Sequence, residues 1–263
     1  MGNQTLKFAF AGDRDIAVDV LAALLAEGDV PAALLLSGQD RASHDAALIT
    51  LCERAGISLP VIRGPQLSTT TAVEFLRSLG LDYIVCVHFP YLLRRPVLDT
   101  ARAGVLNLHP SYLPYNRGWH TPTWAILDGT PAGASLHYID ESLDTGDLVC
   151  QKQAEIDPSD TAHTLYAKLK VLEVQVFKEG WQRIKDGRAR AIPQAAEAAT
   201  VHRRQALFDP AVQRIELDAV VKTADFLRRL RALTTSRLDE AAYFESGDRR
   251  YRVQVTITPE GVS

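Results

Sequence analysis

Short apolar runs and helically spaced apolar stripes alternate along the first hundred residues. Leu6–Ala11 is almost wholly apolar and stops at Gly12, as a buried strand entering a turn would. Ile16–Leu25 carries its apolar residues at helical spacing, with Asp19 on the polar face and Gly28 as a stop. The alternation recurs with a strand at Pro31–Leu36, ended by Ser37-Gly38, and a helix over His44–Ala55 that stops at Gly56. A short strand at Leu59–Ile62 and a helix over Thr70–Ser78, closed by Gly80, follow. Asp82–Val87 is a continuous apolar run suited to a strand covered on both faces, and Pro96–Ala103 reads as a short helix. Four such alternations predict an open parallel sheet with helices on both faces. Ligands of these sheets sit beyond the carboxyl ends of the strands. The loops Gly12–Arg14, Ser37–Arg41, Gly64–Leu67 and His88–Leu93 are therefore candidate binding loops.

The stretch Gly104–Asp147 departs from this rhythm. Asn107 and His109 alternate on a short apolar run, so their side chains share one face of a strand. A turn-rich segment, Pro110–Gly118, is followed by a second apolar run carrying His137 and by a tight acidic turn with Asp140, Asp144 and Asp147. Beyond it, LVCQKQAEI reads as a strand and Thr161–Lys185 as a long amphipathic helix striped by Leu165, Leu169, Leu172, Val176 and Ile184. Ala191–Thr200 reads as an extended surface linker. Val220–Ala232 then forms a helix, and Ala242–Phe244 with Arg250–Ile257 a β-hairpin around Ser246-Gly247-Asp248. The alternation Tyr251, Val253, Val255, Ile257 implies one buried face, and a unit this small must pack on the main domain or on a second copy. The expected division is residues 1–190 as one domain and 191–263 as linker and C-terminal extension.

Composition narrows the partners. A net charge of −3 over 263 residues argues against a chain built to grip a nucleic-acid backbone. No apolar run is long enough to span a membrane, and no secretory leader is evident, so a cytoplasmic setting is expected. The cysteines Cys52, Cys86 and Cys150 lie far apart without metal-ligand spacing, so no metal is expected. Gly12-Asp13-Arg14 lacks the remaining glycines of a dinucleotide fingerprint, which excludes NAD by that motif. Arg14 is then either a phosphate contact or a solvated loop arginine.

A lone histidine on an apolar strand would read as a hydrogen-bonded core residue. Asn107 shifts that balance, because an amide in a strand needs partners when buried. An amide and an imidazole side by side can hold an oxyanion and move a proton. Ser111 has no nucleophile-elbow context, which favours direct transfer to a nucleophile supplied by the substrate. Asp144, in Leu-Asp-Thr-Gly, is either a turn-forming aspartate or a carboxylate that orients His109.

The phrases Asn107-Leu-His109-Pro-Ser111-Tyr-Leu113-Pro114-Tyr-Asn-Arg-Gly118 and His137-Tyr-Ile-Asp-Glu-Ser-Leu-Asp144-Thr-Gly-Asp resemble the N10-formyltetrahydrofolate-dependent formyltransferases. The resemblance covers about the first three-quarters of the chain and implies a Rossmann-like fold: an open, mostly parallel α/β sheet with helices on both faces, plus a small C-terminal helix and β-hairpin extension. It implies Asn107, His109 and Asp144 as the catalytic residues. The first two would hold the oxyanion formed when a substrate amine attacks the formyl carbon, with Asp144 helping to relay the proton. It implies a folate pocket at His88–Leu93 and Ile139–Asp144, with Phe89, Tyr91, Leu92, Leu93, Ile139 and Asp140 as contacts; Phe89 and Tyr91 can equally be core aromatics. The C-terminal helix and hairpin resemble those of nucleotide-sugar N-formyltransferases, often a dimer contact, so a homodimer and a nucleotide-sugar acceptor linked to dTDP, GDP or UDP are expected. Arg14, Ser111, Tyr112, Arg117 and Trp119 are the candidate acceptor contacts, with Arg203 a further cationic candidate. Transfer to another amine (methionyl-tRNA or an amino acid), hydrolysis of the formyl-folate, and a non-catalytic folate- or nucleotide-binding module are the alternatives.

Overall fold

A computed structural model describes residues 6–38 and 44–261. Most of the loop Ser37–Arg41 lies outside the described residues. In chain order the principal elements are β1 (Phe8–Gly12), α1 (Arg14–Ala26), β2 (Ala33–Leu36), α2 (Asp45–Arg54), β3 (Val61–Arg63), α3 (Thr70–Ser78), β4 (Leu81–Val87), α4 (Arg95–Leu98) and β5 (Ala101–His109). There follow β6 (Arg117–Gly118), α5 (Thr121–Asp128), β7 (Ala132–Tyr138), β8 (Leu148–Ala154) and α6 (Ala162–Lys185). The C-terminal elements are β9 (Val201–His202), α7 (Pro210–Gln213), α8 (Thr223–Ala232), β10 (Ala242–Ser246) and β11 (Arg249–Val253).

Two compact units emerge, each assembled from several segments. The first takes residues 1–109, 135–151 and 173–194; the second takes 110–134, 152–172 and 195–263. The elements β7, β8 and α6 each contribute to both.

The first unit is built on the sheet, whose seven strands run in the order β3-β2-β1-β4-β5-β7-β8. β1 to β5 are mutually parallel, and β7 runs antiparallel to β5. This is the expected Rossmann-like class. The order reverses between β1 and β4, the switch point at which loops on adjacent strands diverge to opposite faces and leave a crevice. β1 and β2 are buried along their whole length, as their unbroken apolar runs require. Ala72, Val73 and Leu76 of α3 pack into the core formed by Ala9, Leu35, Ile84 and Cys86. Thr69 starts α3 by accepting a hydrogen bond from Ala72 N at 3.3 Å. Trp181, on α6, packs edge-on against Phe8 and donates its indole N–H to Asp29. All three cysteines are buried and free, and burial pushes the Cys86 thiol up to about 12.

Three sequence expectations change. The helix expected over Pro96–Ala103 ends at Leu98, and Ala101 already pairs with Leu81 of β4; pairing with the neighbouring strand outweighs the last helical turn. The segment Ala191–Thr200 is not free of the fold, since Ile192 exchanges both backbone hydrogen bonds with Leu148. In the hairpin, β11 ends at Val253, short of the expected Ile257, and Tyr251 is exposed, while Val253 and Val255 are partly buried against an apolar cluster of the second unit. Val255 instead donates its amide to Thr234 Oγ1.

In the second unit, Ala125, Ile126, Leu165, Leu169 and Ala232 form one apolar cluster. Trp124, Leu207, Leu230, Leu233 and Ala242 form another, under the hairpin. Within the described residues no helix is long and apolar enough to cross a membrane.

Candidate active site

The end of β5 and the antiparallel β7 build the site. Their register sets Asn107 opposite His137 and His109 opposite Ser135. Alternation along β5 then places Asn107 and His109 on one face, and cross-strand pairing brings His137 beside Asn107. The ring of His137 is almost wholly buried, with its Nδ1 2.7 Å from Tyr138 O and its Nε2 3.2 Å from Asn107 Nδ2. Those partners fix the tautomer. Nδ1–H donates to the carbonyl, and Nε2 keeps a lone pair that accepts from the amide. Burial is the main cause that pulls the His137 imidazole down to about 4, opposed by the nearby Asp144 carboxylate. His137 is thus a neutral acceptor that orients the Asn107 amide.

The third component enters on the turn after β7. Asp144 has a left-handed backbone, φ 53°, which an aspartate tolerates better than most residues. Its Oδ1 is 3.5 Å from Asn107 Nδ2 and 3.7 Å from His137 Nε2, while its Oδ2 is 3.6 Å from His109 Nε2. At 3.6 Å the carboxylate acts on the His109 ring through its field more than through a shared proton. The turn is held from several sides. Gly146 runs so close to β7 that a Cβ there would lie 2.0 Å from Tyr138 O. Tyr138 N donates to Asp147 O, and Gln194 Nε2 donates to the carbonyls of Asp144 and Gly146 at 2.9 and 2.7 Å. Asp140 accepts from Ser142 N and from the Thr145 hydroxyl.

The structure therefore gathers Asn107, His109 and Asp144, and adds two residues the sequence reading left without a role. His137 lay in the focal stretch, but only the β5–β7 register reveals its bond to Asn107. Gln194 lies in an Ala-rich polar segment with no signal of its own, and the Leu148–Ile192 bridge brings it to the turn.

The other candidates are distributed unevenly. Of the expected folate contacts, Leu92 is 80% exposed, whereas Leu93 is buried in the sheet core. Phe89 and Ile139 are partly buried against that core, and Tyr91 lies over the backbone of Gly64. Asp140 has its carboxylate engaged within the turn. Arg14 is exposed at the start of α1, in a left-handed conformation. The remaining acceptor candidates belong to the second unit. There Ser111 and Arg117 are buried, Tyr112 packs near Gly133, Trp119 is 43% exposed with the Arg204 guanidinium 5.4 Å from its ring centre, and Arg203 is exposed. Among the described residues no group of three or more His, Cys, Asp or Glu is arranged to hold a metal ion.

The His137 titration has a consequence for stability. A histidine whose folded-state value lies below its unfolded one favours the folded chain while neutral, and that contribution is lost as pH falls from about 6.5 towards 4. The loss is expected to reach about 3 kcal/mol at the acid end, at ~1.4 kcal/mol per pH unit. Thermal unfolding of the wild type and of His137→Asn across this range checks it: the variant should lose less stability with acid than the parent.

An α/β sheet with an amide, an imidazole and a carboxylate converging at a strand end is an arrangement that can stabilise an oxyanion and move a proton. Comparison with known proteins makes the class specific. The pattern described as "Formyl transferase" matches residues 20–180, and that described as "N-formyltransferase dimerization C-terminal domain" matches residues 210–259. The chain belongs to the formyl transferase family. It is 30% identical over 179 residues to a dTDP-4-amino-4,6-dideoxyglucose formyltransferase of Mycobacterium bovis, covering 68% of this chain and 74% of that one. It is 31% identical over 232 residues to a methionyl-tRNA formyltransferase of Desulfotalea psychrophila, covering 84% of this chain and 71% of that one. Its fold matches a sugar N-formyltransferase from Shewanella with TM-score 0.81 at 19% identity, over 98% of this chain and 100% of the other. An N-formyltransferase of Helicobacter canadensis, solved with folinic acid and dTDP-3-aminofucose, matches with TM-score 0.63 at 19% identity, over 90% and 86% of the two chains.

Proposed function

We propose that this enzyme transfers the formyl group of N10-formyltetrahydrofolate to the amine of a nucleotide-linked amino sugar. The convergence of Asn107, His109 and Asp144 at the end of β5 carries the reading. The amine attacks the formyl carbon, the carbonyl oxygen gains negative charge, and the C–N bond to the folate then breaks. Asn107 Nδ2–H and His109 would stabilise that oxygen. Of the two Asn107 contacts, the 3.5 Å one to Asp144 is the weaker, and it frees the hydrogen that the oxyanion would take. Asp144 would accept the amine proton and pass it, with His109, to the departing folate nitrogen, so that atoms and charge balance without a covalent enzyme intermediate.

The donor reading is supported by the folate ligands bound in structures of similar fold, and the acceptor reading by the sugar-formylating relative in Mycobacterium bovis. Residues 1–190 would carry the chemistry and 191–263 the assembly. The methionyl-tRNA relatives favour a second acceptor, against which stands the net charge of −3. Incubation with N10-formyltetrahydrofolate and a panel of dTDP-, GDP- and UDP-linked amino sugars, with methionyl-tRNA as a separate arm, tests both readings by mass. A formyl gain on no sugar overturns the first, and release of formate without acceptor indicates hydrolysis.

A homodimer through the C-terminal segment belongs to the same proposal. Leu217, Val220, Val221, Leu227 and Tyr251 are exposed apolar residues within the region matched by the dimerization pattern. Sedimentation equilibrium should give twice the chain mass, and Val220→Asp with Leu227→Asp should shift it to the monomer.

A further inference from the structure

We propose that His88 and Glu173 form a positioning pair that holds the loop after β4 in its donor-binding shape, an inference that rests on the folate reading above. His88 follows Val87, the last residue of β4, and Val87 is paired with Leu108 of β5. The loop therefore leaves the sheet beside the strand segment that carries Asn107 and His109. At this point the backbone of His88 has φ 50°, a left-handed conformation uncommon for a residue with a side chain.

Its side chain is held from α6. His88 Nε2 lies 2.7 Å from Glu173 Oε1, and the Glu173 side chain is wholly buried. A buried carboxyl group is tolerated only when its oxygens are matched by donors. Oε2 has no hydrogen-bond partner among the described residues, so His88 supplies the bond recorded for this carboxyl group. An apolar residue would suit the stripe of α6 that buries Val176, Phe177 and Trp181. An acid here makes physical sense for the loop it grips.

The loop so fixed has further anchors. Phe89 packs on the sheet core and against Tyr91 at 5.6 Å, and Tyr91 lies where a Cβ on Gly64 would come within 2.2 Å of its ring. Leu92 between these anchors and buried Leu93 is 80% exposed. The pair therefore sets where the outward part of the loop, backbone included, is presented. His88 and Glu173 hold the loop that would present the donor, so their effect is expected on donor affinity.

Binding of 5-formyltetrahydrofolate by calorimetry tests this without turnover. Glu173→Leu should raise Kd about tenfold, whereas Glu173→Gln, whose amide oxygen still accepts from His88, should stay within about threefold of wild type. KM for the formyl donor should follow Kd, while kcat at saturating donor and KM for the acceptor stay within about threefold. His88→Asn tolerates the left-handed backbone but is too short to reach Glu173, and it should reproduce the loss even if Glu173→Leu does not fold. Wild-type Kd in a folded Glu173→Leu or in His88→Asn overturns the pair, as does a fall in kcat with Kd unchanged. A wild-type chain that does not bind 5-formyltetrahydrofolate removes the folate reading itself, and the inference with it.

Discussion

Replacing His109 by alanine is expected to lower kcat by about two to four orders of magnitude while donor binding stays nearly intact. The ring ends β5 in a buried position, with Asp144 Oδ2 3.6 Å from its Nε2. In the proposed reaction it is needed most when charge builds on the formyl oxygen, so its removal strikes the transition state and leaves the ground state little changed. Asn107→Ala should cost about two to three orders of magnitude by the same logic. It has a second effect, since it leaves the buried His137 Nε2 without the donor at 3.2 Å, and it should also lower stability by about 1–3 kcal/mol. The double variant should be scarcely slower than the worse single one, because the two groups serve one oxygen. Single-turnover rates, with 5-formyltetrahydrofolate binding and thermal unfolding measured alongside, check all three variants. Near-normal rates in both single variants would overturn the assigned roles.

Asp144→Asn should reduce kcat by about two to four orders of magnitude with little change in stability. The substitution keeps the shape of the side chain and suits the left-handed backbone at φ 53°, so the turn should survive. The turn is also held independently of the carboxylate, through Gln194 to the carbonyls of Asp144 and Gly146 and through Tyr138 to Asp147. What is lost is the charge facing Asn107, His109 and His137, and the group proposed to take the amine proton. Asp144→Ala would confound the test, because a Cβ-bearing residue without a polar side chain is strained in that conformation. A decisive result is an Asn variant of unchanged thermal stability and donor Kd whose turnover falls. Retention of most of the turnover would leave Asp144 as a turn former.

The two results bear on different parts of the mechanism. Loss at His109 or Asn107 reports on the oxyanion, and loss at Asp144 on the proton.

Much of this protein is determined by its sequence alone. Apolar runs at β1, β2 and most of β4, separated by helical stripes and glycine stops, leave few arrangements besides a parallel sheet with helices on both faces. Alternation on one strand is enough to set Asn107 and His109 on the same face, because the two-residue period of a strand is local geometry. The tertiary structure decided what sequence separation hides. The strand register, fixed by pairing across the sheet, set His137 against Asn107 over 30 residues. A single bridge between Leu148 and Ile192 carried Gln194 to a turn 50 residues away. Burial, which no local pattern specifies, placed Glu173 beneath His88 and pulled Leu93 into the core while leaving Leu92 outside. Local periodicity encodes faces; which faces meet is decided by the summed packing and hydrogen bonding of the whole sheet.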